Sequence, residues 1–404
     1  MRVSDVRLST ADDRRELQAW VSSERDAADD SWFAPFALWY RFPMWCGSIL
    51  RADNGDPFLA ALLLAAMRAG ERLIIESPVS SRLLAALPEI QAIYAAFDPQ
   101  ANPILVETDG RLDDGPTGDR VPAVGLFFSL GVDSFYSLLK NRRDHPRGER
   151  AISHLIFVHG FETAYAPWDE DVSEPIRDNL HRVGVETGAT ALLVETNMQR
   201  VLSPLAPWTM AHGGGLASVA LALGDMVGRV HIAATTTYDR LYPWGTPPVL
   251  DPLWSTERLA FVHDGCEIHV IGKTAFVARS PLALETLRVC PGVGPEYNCG
   301  RCPKCLRTMI DLTLAGALDD CQTLPHAIDA TRLHDALRIG VSSVHIPEYG
   351  RRLRQLEAVG APIDVCEALR SHLARLQVED GHTRRVGPVR RFVRRWRRRI
   401  ADWG

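Results

Sequence analysis

The stretch that decides the fold is Phe127-Phe128-Ser129-Leu130-Gly131-Val132-Asp133-Ser134-Phe135-Tyr136-Ser137-Leu138. An apolar strand over 124–129 runs through a short turn into a helix predicted over 133–141. Backbone N–H groups and hydroxyls at a helix N-terminus favour the binding of an anion. The alternative is a Ser-rich helix N-cap that follows a core strand. Neither G-x-x-x-x-G-K-[ST] nor G-x-G-x-x-G occurs, which argues against a Walker A loop and an ordinary dinucleotide-binding fold.

Short apolar strands alternate with amphipathic helices after this stretch, which predicts an α/β fold with a parallel sheet covered on both faces. The predicted strands cover 154–159, 191–195 and 230–234, and the helices cover 174–187 and 214–227. The loops after parallel strands should converge on one ligand site. These loops begin after Phe128, His159, Thr196 and Ala234.

The amino-terminal part predicts a smaller α/β unit, although residues 1–30 show no clear element. Its strands are predicted over 38–42, 72–76 and 103–108, and its helices over 58–69 and 80–97. Residues 109–118 are polar, Gly-rich and aperiodic, which is typical of a linker. Because 306–375 is predicted mostly helical, the expected domains are 1–118, 119–315 with the ligand site, and a helical extension over 316–404.

The charge distribution separates a basic tail from an acidic body. The 404 residues carry a net charge of −5, but residues 384–404 contribute nine Arg and one Asp, which leaves −13 for residues 1–383. Such a body is a poor general surface for nucleic acid. The tail spaces Val389, Phe392, Val393 and Trp396 at helical intervals among arginines. A basic amphipathic helix of this kind either binds RNA or an acidic surface, or packs back on the body.

The start of the sequence lacks the basic-then-apolar profile of a signal peptide, so we expect a cytoplasmic protein. The longest apolar run, 58–67, is about half of the ~20 residues that a membrane-spanning helix needs. We therefore interpret this run as a buried helix and expect no transmembrane segment.

Four of the eight cysteines predict a metal site. Cys290, Cys299, Cys302 and Cys305 follow the spacing C-x8-C-x2-C-x2-C. Four thiolates form a closed tetrahedral set for structural Zn²⁺, although an iron–sulfur cluster and a redox-active cysteine pair are alternatives. The other four cysteines are scattered and fit small core side chains. They are Cys46, Cys266, Cys321 and Cys366.

The segment Ser129-Leu130-Gly131-Val132-Asp133-Ser134 resembles the S-G-G-x-D-S loop of the PP-loop ATP pyrophosphatase superfamily, with Leu130 in place of the first Gly. Together with the four-cysteine motif, the region 120–315 resembles the 7-cyano-7-deazaguanine synthase family of that superfamily. The resemblance implies an adenine nucleotide alpha hydrolase-like fold that cleaves ATP between its α- and β-phosphates with Mg²⁺. A Cβ at residue 130 restricts positive φ, so we expect a reshaped loop.

The resemblance also implies roles for particular residues. The catalytic residues would be Ser129, Asp133, Ser134 and Lys273, the last of which sits where the family has a helix-opening Lys. The nucleotide would be bound by Phe127, Phe128, Ser129, Leu130, Gly131, Val132, Asp133 and Ser134, with His159, Gly160, Thr196 and Asn197 at the adenosine.

The substrate region departs from the family. Leu250-Asp251-Pro252 stands where the family has Pro-Asp-Cys-Arg, and Trp254 follows. An aromatic ring beside two hydroxyls can stack on a planar ligand and hydrogen-bond to its edge. We therefore expect another small substrate, bound by Asp239, Asp251, Trp254, Ser255 and Thr256.

The leading hypothesis is an ATP-dependent ligase that adenylates a small carboxylate or carbonyl substrate for attack by ammonia or an amine, giving an amide or nitrile. Two alternatives are a PP-loop sulfurtransferase or tRNA- or base-modifying enzyme, and a non-catalytic ATP-binding zinc scaffold. Sulfur chemistry would need a reactive cysteine, for which Cys266 is the visible candidate. The predicted partners are ATP and the substrate, with a homodimer left open.

Overall fold

A computed structural model describes residues 1–25, 29, 33–112, 122–161, 170–290, 296–338 and 346–385, with only the backbone of 170–173 and 379–385. Residues 386–404, which hold most of the predicted basic tail, lie outside the described residues. The chain forms two compact units, Met1–Lys273 and Thr274–Gly404.

The first unit is an α/β structure built on a ten-stranded sheet. Its strands are β1 (Arg2–Ala11), β2 (Arg14–Ser22), β3 (Phe36–Pro43), β4 (Leu73–Ile75), β5 (Val79–Ser80), β6 (Val106–Thr108), β7 (Arg111–Leu112), β8 (Ala123–Phe127), β9 (His154–His159), β10 (Thr190–Thr196), β11 (Val227–Ala233) and β12 (Ala260–Asp264). Its helices are α1 (Asp56–Ala69), α2 (Ser81–Phe97), α3 (Val132–Asp144), α4 (Glu170–Thr187), α5 (Met198–Leu202), α6 (Trp208–Ala222) and α7 (Val270–Val277), within which the unit ends.

The sheet is mostly parallel, with the order β12-β11-β8-β9-β10-β3-β2-β1-β4-β6. The strands from β12 to β10 are parallel, β10 to β1 pair antiparallel, and β4 and β6 are parallel to β1. β5 and β7 form a separate parallel pair. The predicted α/β class is therefore confirmed, with a sheet that is mostly but not wholly parallel.

The direction of the chain across the sheet reverses at β8. From β8 the chain proceeds to β9 and β10 on one side, and it then returns to place β11 on the other side. In open α/β sheets such a reversal leaves a crevice at the carboxyl ends of the two central strands, where ligands bind. Here those strands are β8 and β11, which are followed by Phe128 and Ala234.

The predicted domain boundary at residue 118 does not divide the structure. β10 pairs with β3, with Thr196 opposite Tyr40, and α1 packs on α6. The strands on both sides of the predicted linker therefore belong to one sheet and one compact unit. The polar composition of a linker is a local property, whereas this pairing joins segments that are distant along the chain.

β1 and β2 form an antiparallel hairpin in the segment for which no element was predicted. Asp12 and Asp13, at its turn, have φ angles of 48° and 57°. A two-residue turn with positive φ at both positions matches the right-handed twist of a hairpin. The strands escape sequence analysis because many of their side chains are only half-buried, so apolar and polar residues alternate weakly.

Two helix boundaries follow the expected chemistry and one does not. α1 ends at Gly70, which has φ 62°, and the Ser80 hydroxyl accepts a hydrogen bond from the Leu83 N–H at the start of α2. α6 begins at Trp208, well before the predicted start at residue 214. The glycines that suggested a helix start lie inside the helix instead.

Gly213 and Gly214 let α6 approach its neighbours at backbone distance. A Cβ on Gly213 would lie 1.7 Å from the carbonyl oxygen of Gly245, and one on Gly214 would lie 2.4 Å from that of Ala60 in α1. Neither position has room for a side chain. These glycines therefore serve helix packing.

The second unit contains helices α8 (Pro281–Thr286), α9 (Pro303–Leu314), α10 (Ala330–Arg338), α11 (Ile346–Ala358) and α12 (Ile363–Arg385). The fully buried Arg352 donates from Nε and Nη2 to the two carboxylate oxygens of Asp311, at 2.7 and 2.8 Å. This bidentate ion pair joins α11 to α9. Over the described part of the whole chain, no helix has the length and apolarity needed to span a bilayer.

Candidate functional site

The turn between β8 and α3 lies at the crevice where the sheet reverses. Ser129 is exposed there, and Gly131 is the N-cap residue of α3 without a side-chain capping bond. The first N–H groups of a helix have no intrahelical acceptor. This turn therefore presents a hydroxyl and the positive end of α3 at the carboxyl edge of the sheet.

Leu130 adopts a backbone conformation that favours glycine. Its φ is 63°, and its side chain is fully buried. The turn thus has the left-handed geometry that a glycine would provide, and the side chain is held inside the protein. A branched side chain at this φ is strained, so the surrounding packing must maintain the conformation.

The apolar residues of the predicted nucleotide-binding segment could contact a ligand only through their backbone atoms, because their side chains are buried. Phe127, Phe128 and Val132 are buried, and the Phe128 ring packs edge-on against Phe135 at 4.9 Å. The Phe128 N–H donates to the carbonyl oxygen of Ile156 at 2.8 Å. These contacts fix the turn between β8 and α3 against the sheet.

Asp133 and Lys273 meet at the start of α3. The Lys273 Nζ lies 2.9 Å from Asp133 Oδ1 and 2.5 Å from the carbonyl oxygen of Ala234, which follows β11. Lys273 is 1% exposed, whereas the Asp133 side chain is 30% exposed. The structure therefore brings two predicted catalytic residues together at the crevice between β8 and β11.

Ser134, the fourth predicted catalytic residue, is buried in the first turn of α3. Its hydroxyl donates to the carbonyl oxygen of Gly131 at 3.0 Å. Of the two predicted serines, Ser129 is thus the exposed one, and Ser134 stabilises the turn.

A polar network beside this pair was missed by sequence analysis. Tyr136 Oη and Lys140 Nζ each lie 2.8 Å from Glu267 Oε1, and Lys140 also lies 2.7 Å from Asp264. Burial raises the pKa of Tyr136 to about 12. Burial also acts on Glu267, but hydrogen bonds from Lys140 and other donors lower the pKa of this carboxyl to about 2. The i, i+4 spacing of Tyr136 and Lys140 on α3 was the available signal.

Thr196 and Asn197, which are predicted at the adenosine, connect β10 to β3 through their side chains. The Thr196 hydroxyl donates to the carbonyl oxygen of Trp39 at 2.7 Å. The Asn197 side chain accepts from the Trp39 N–H at 3.1 Å and donates to the carbonyl oxygen of Ala37 at 2.7 Å. Because β3 covers this end of β10, both side chains are occupied in joining the sheet.

The other two residues predicted at the adenosine lie at the end of β9. His159 is half-buried, and Gly160 is buried with φ 98°, a conformation that glycine adopts without strain. β9 adjoins β8, so both residues lie at the same carboxyl edge as residues 128–131. Residues 162–169, which come soon after, lie outside the described residues.

Most of the predicted substrate residues stabilise the fold. Trp254 is fully buried with its ring centroid 6.4 Å from that of Tyr94, so it cannot stack on a ligand as expected. The Ser255 hydroxyl accepts from the Phe261 N–H, and the Thr256 hydroxyl accepts from the Leu259 N–H. This segment packs against α2, α6 and β12, which explains its apolar and hydroxyl-bearing sequence.

The two predicted substrate carboxylates differ in their surroundings. Asp239 is exposed after β11, and its Oδ2 lies 3.8 Å from His269 Nε2. Asp251 is fully buried and contacts His263 at 2.7 Å. Burial raises the pKa of Asp251 to about 6, against the opposing effect of His263.

The second unit contains a four-cysteine cluster that could hold a metal ion. The ligand atoms of Cys290, Cys299, Cys302 and Cys305 all lie within 4.8 Å of one another. The Sγ atoms of Cys290 and Cys302 lie 3.9 Å apart, and those of Cys299 and Cys305 lie 3.8 Å apart. A tetrahedron with zinc–sulfur bonds of ~2.3 Å has edges of about 3.8 Å, so the cluster fits that geometry. Gly300, with φ 63°, makes the turn within the motif.

These features define an α/β protein with a candidate anion site at the reversal point of its sheet and a separate four-cysteine cluster. No protein-family model matches the chain, and neither does any curated protein or solved structure with which it was compared.

Proposed function

We propose that this protein is an ATP-dependent ligase that transfers AMP to a small carboxylate or carbonyl substrate and releases pyrophosphate. The observation that carries the proposal is the pairing of Asp133 with the buried Lys273, beside an exposed Ser129 and the N-terminus of α3. All of these groups lie at the carboxyl edge, where α/β sheets bind their ligands.

The chemistry of these groups suits phosphates. Backbone N–H groups at the start of α3 and the Ser129 hydroxyl would donate to phosphate oxygens. Lys273 is held in place by Asp133 and the Ala234 carbonyl oxygen, so its charge would stabilise the transition state without reorganisation. Asp133 is half-exposed and would bind Mg²⁺, which supplies additional positive charge to the triphosphate.

In the proposed reaction an oxygen of the substrate attacks the α-phosphorus of ATP. A new oxygen–phosphorus bond forms, the bond to the β-phosphate oxygen breaks, and pyrophosphate leaves. Attack by ammonia or an amine on the activated carbon then forms a carbon–nitrogen bond, breaks the bond to the AMP oxygen and gives an amide. Where a second ATP adenylates the amide oxygen, cleavage of the carbon–oxygen bond expels AMP, both N–H protons leave, and the product is a nitrile. The nucleophile's protons pass to solvent or to a nearby base.

The test is exchange of labelled pyrophosphate into ATP, measured with Mg²⁺ and a panel of small carboxylic acids. We expect exchange with at least one acid. Replacing Lys273→Met should reduce the exchange at least ~100-fold, because one fixed donor to the developing charge is lost. Lys304→Met is the control for the loss of one lysine charge away from this site, since Lys304 is an exposed lysine in the second unit.

Ser129→Ala gives an additional test, because an exposed hydroxyl can be removed without disturbing the core. We expect about tenfold slower exchange with unchanged thermal stability. The proposal is wrong if no acid supports exchange and calorimetry detects no ATP binding, or if Lys273→Met behaves as Lys304→Met does.

We also propose that the four-cysteine cluster binds zinc in a structural role. Four sulfur ligands leave no open coordination position, which is typical of structural zinc sites. Cys302 is the N-cap of α9, and its Sγ accepts from the Cys305 N–H at 3.4 Å. An ion at this place would fix the start of α9.

A further inference from the structure

A second group of reactive side chains lies at the same edge of the first unit. Asp251 Oδ2 lies 2.7 Å from His263 Nδ1, and His263 Nε2 lies 3.2 Å from Cys266 Sγ. His263 belongs to β12, Cys266 lies in the turn after it, and Asp251 begins a short 3₁₀ turn over Asp251–Trp254. Sequence analysis treated Asp251 and Cys266 separately and missed His263.

The orientation of the imidazole is that of a nucleophilic triad. In such triads a carboxylate holds Nδ1, which fixes the tautomer, and Nε2 faces the nucleophile as its base. The Asp251 side chain is fully buried and that of His263 is 2% exposed. Among the described residues, Asp251 Oδ1 has no hydrogen-bond partner. Burial of this carboxylate costs free energy, which the hydrogen bond with His263 only partly offsets.

The thiol needs a base. Burial raises the pKa of Cys266, while the charge of Lys273 acts in the opposite direction. A thiol in this state is protonated near neutral pH, and only the thiolate is a strong nucleophile. His263 Nε2 is placed to accept this proton.

The triad lies next to the groups proposed to bind ATP. Gly265 precedes Cys266 in the turn, and a Cβ on Gly265 would lie 3.4 Å from Lys273 Nζ. Lys273 in turn contacts Asp133 at the start of α3. The turn that carries Cys266 therefore lies beside Lys273, where the activated group is proposed to bind.

We propose that Cys266 receives the acyl group from the adenylated substrate as a thioester, with His263 as the base and Asp251 as a positioning residue. The inference rests on the proposed adenylation. Sulfur attacks the carbonyl carbon, a carbon–sulfur bond forms, the bond to the AMP oxygen breaks, and the thiol proton moves to His263 Nε2. An amine then attacks the thioester, a carbon–nitrogen bond forms and the carbon–sulfur bond breaks. His263 returns its proton to sulfur, and the proton lost by the amine nitrogen passes to His263 and from there to solvent.

The test uses synthetic acetyl adenylate with the full chain, an acid quench, and peptide mass spectrometry. We expect an acetyl group on Cys266 that neutral hydroxylamine removes. His263→Asn should slow this labelling at least ~100-fold, because general-base catalysis is lost. Cys266→Ser should abolish the labile label, whereas Cys321→Ser, a buried thiol of the second unit, should leave it unchanged.

The pH dependence of labelling provides a second measurement. A thiol activated by histidine should reach its full labelling rate near neutral pH, below the ordinary thiol range of about 8.5. Asp251→Asn should move the midpoint of this curve, which a merely structural carboxylate would not do. Thermal unfolding of each variant checks that it is folded.

Several outcomes would overturn the proposal. The first two are labelling of Cys266 only after denaturation, and labelling of Cys266 no faster than that of Cys46, which is also buried. The other two are a labelling rate that rises only in the alkaline range, and a pH curve whose midpoint is the same in Asp251→Asn as in the wild type. Recovery of Cys266 with an added sulfur that dithiothreitol removes would point to sulfur transfer instead. Acetyl adenylate is already activated, so labelling of Cys266 does not require ATP-dependent adenylation. The two proposals can therefore fail independently of each other.

Discussion

Leu130 shows that a turn can keep a glycine-type conformation without a glycine. The sequence correctly identifies the residue as a departure from S-G-G-x-D-S, and it predicts that a Cβ would reshape the loop. The structure instead has φ 63° at this residue, with the side chain buried. The packing of the side chain offsets a backbone strain of about 1 kcal/mol, and neither quantity can be read from a motif.

The balance between side-chain packing and backbone strain at residue 130 predicts that a glycine variant is at least as stable as an alanine variant, the reverse of the usual order. Both Leu130→Ala and Leu130→Gly remove buried apolar surface and should lower the free energy of unfolding by about 2–5 kcal/mol. Glycine additionally relieves the strain at positive φ, so Leu130→Gly should be at least as stable as Leu130→Ala. Urea denaturation measures both. At an ordinary buried position the alanine variant is more stable than the glycine variant. If Leu130→Ala is more stable than Leu130→Gly here, the backbone at residue 130 is not strained.

Asp56, in the first turn of α1, provides a prediction on pH. Its Oδ1 accepts from the Ser80 N–H at 2.7 Å, and burial raises its pKa to about 7 from 3.8. Between these two values the folded state holds the proton more tightly than the unfolded state does. This carboxyl therefore makes the protein less stable as the pH rises through that window.

Asp56→Asn removes this titration and keeps an acceptor for the Ser80 N–H. The free energy of unfolding of the variant, relative to that of the wild type, should increase by at least about 1 kcal/mol from about pH 5 to about pH 8. Chemical denaturation of both proteins at the two pH values measures the difference, and other groups that titrate cancel in the comparison. An equal difference at both pH values would contradict the raised pKa.

The sequence singled out residues that the structure brings together, and it could not show which other predicted side chains are held by contacts within the fold. The resemblance of the loop and of Lys273 to a known family singled out Asp133 and Lys273, which the structure joins by an ion pair. Their catalytic roles remain predictions. The role of the Thr196 side chain could not be predicted because the pairing of β10 with β3 is a long-range contact. The burial of Trp254 could not be predicted because an aromatic residue beside hydroxyls suits a core as well as a ligand site.

At the scale of elements, periodicity predicted most strands and helices, with limits that differ by a few residues. The hairpin of β1 and β2 was missed because its faces are only partly buried. The start of α6 was wrong because glycine normally signals a boundary, whereas here Gly213 and Gly214 are required inside the helix by a neighbouring backbone. Local propensity cannot reveal such a tertiary requirement.

The four-cysteine cluster predicts that α9 depends on a metal ion. The purified protein should contain one zinc ion per chain by elemental analysis. Removal with a strong chelator should reduce helicity measured by circular dichroism, because the start of α9 at Cys302 loses its anchor. Cys299→Ser should have the same effect, whereas Cys366→Ser, outside the cluster, should not. Iron with a visible absorption band would contradict the zinc assignment.

For the whole molecule, the ten-stranded sheet predicts that residues 119–404 do not fold without residues 1–118. Their removal would expose the edge of β10 and the face of α6 that α1 covers. We expect an aggregated product without a cooperative unfolding transition. The control is co-expression of the two segments, which should restore a soluble complex. A truncated protein that unfolds cooperatively would support the domain boundary that the sequence indicated.

The backbone contact between α6 and its neighbours also bears on how this sequence can diverge. Residues without close neighbours can be replaced freely, but a methyl group at Gly213 would collide with the carbonyl oxygen of Gly245. In a saturation-mutagenesis library, therefore, position 213 should be nearly invariant, while Gly350, where a Cβ would meet only the end of the Arg354 side chain at 3.5 Å, should accept many replacements.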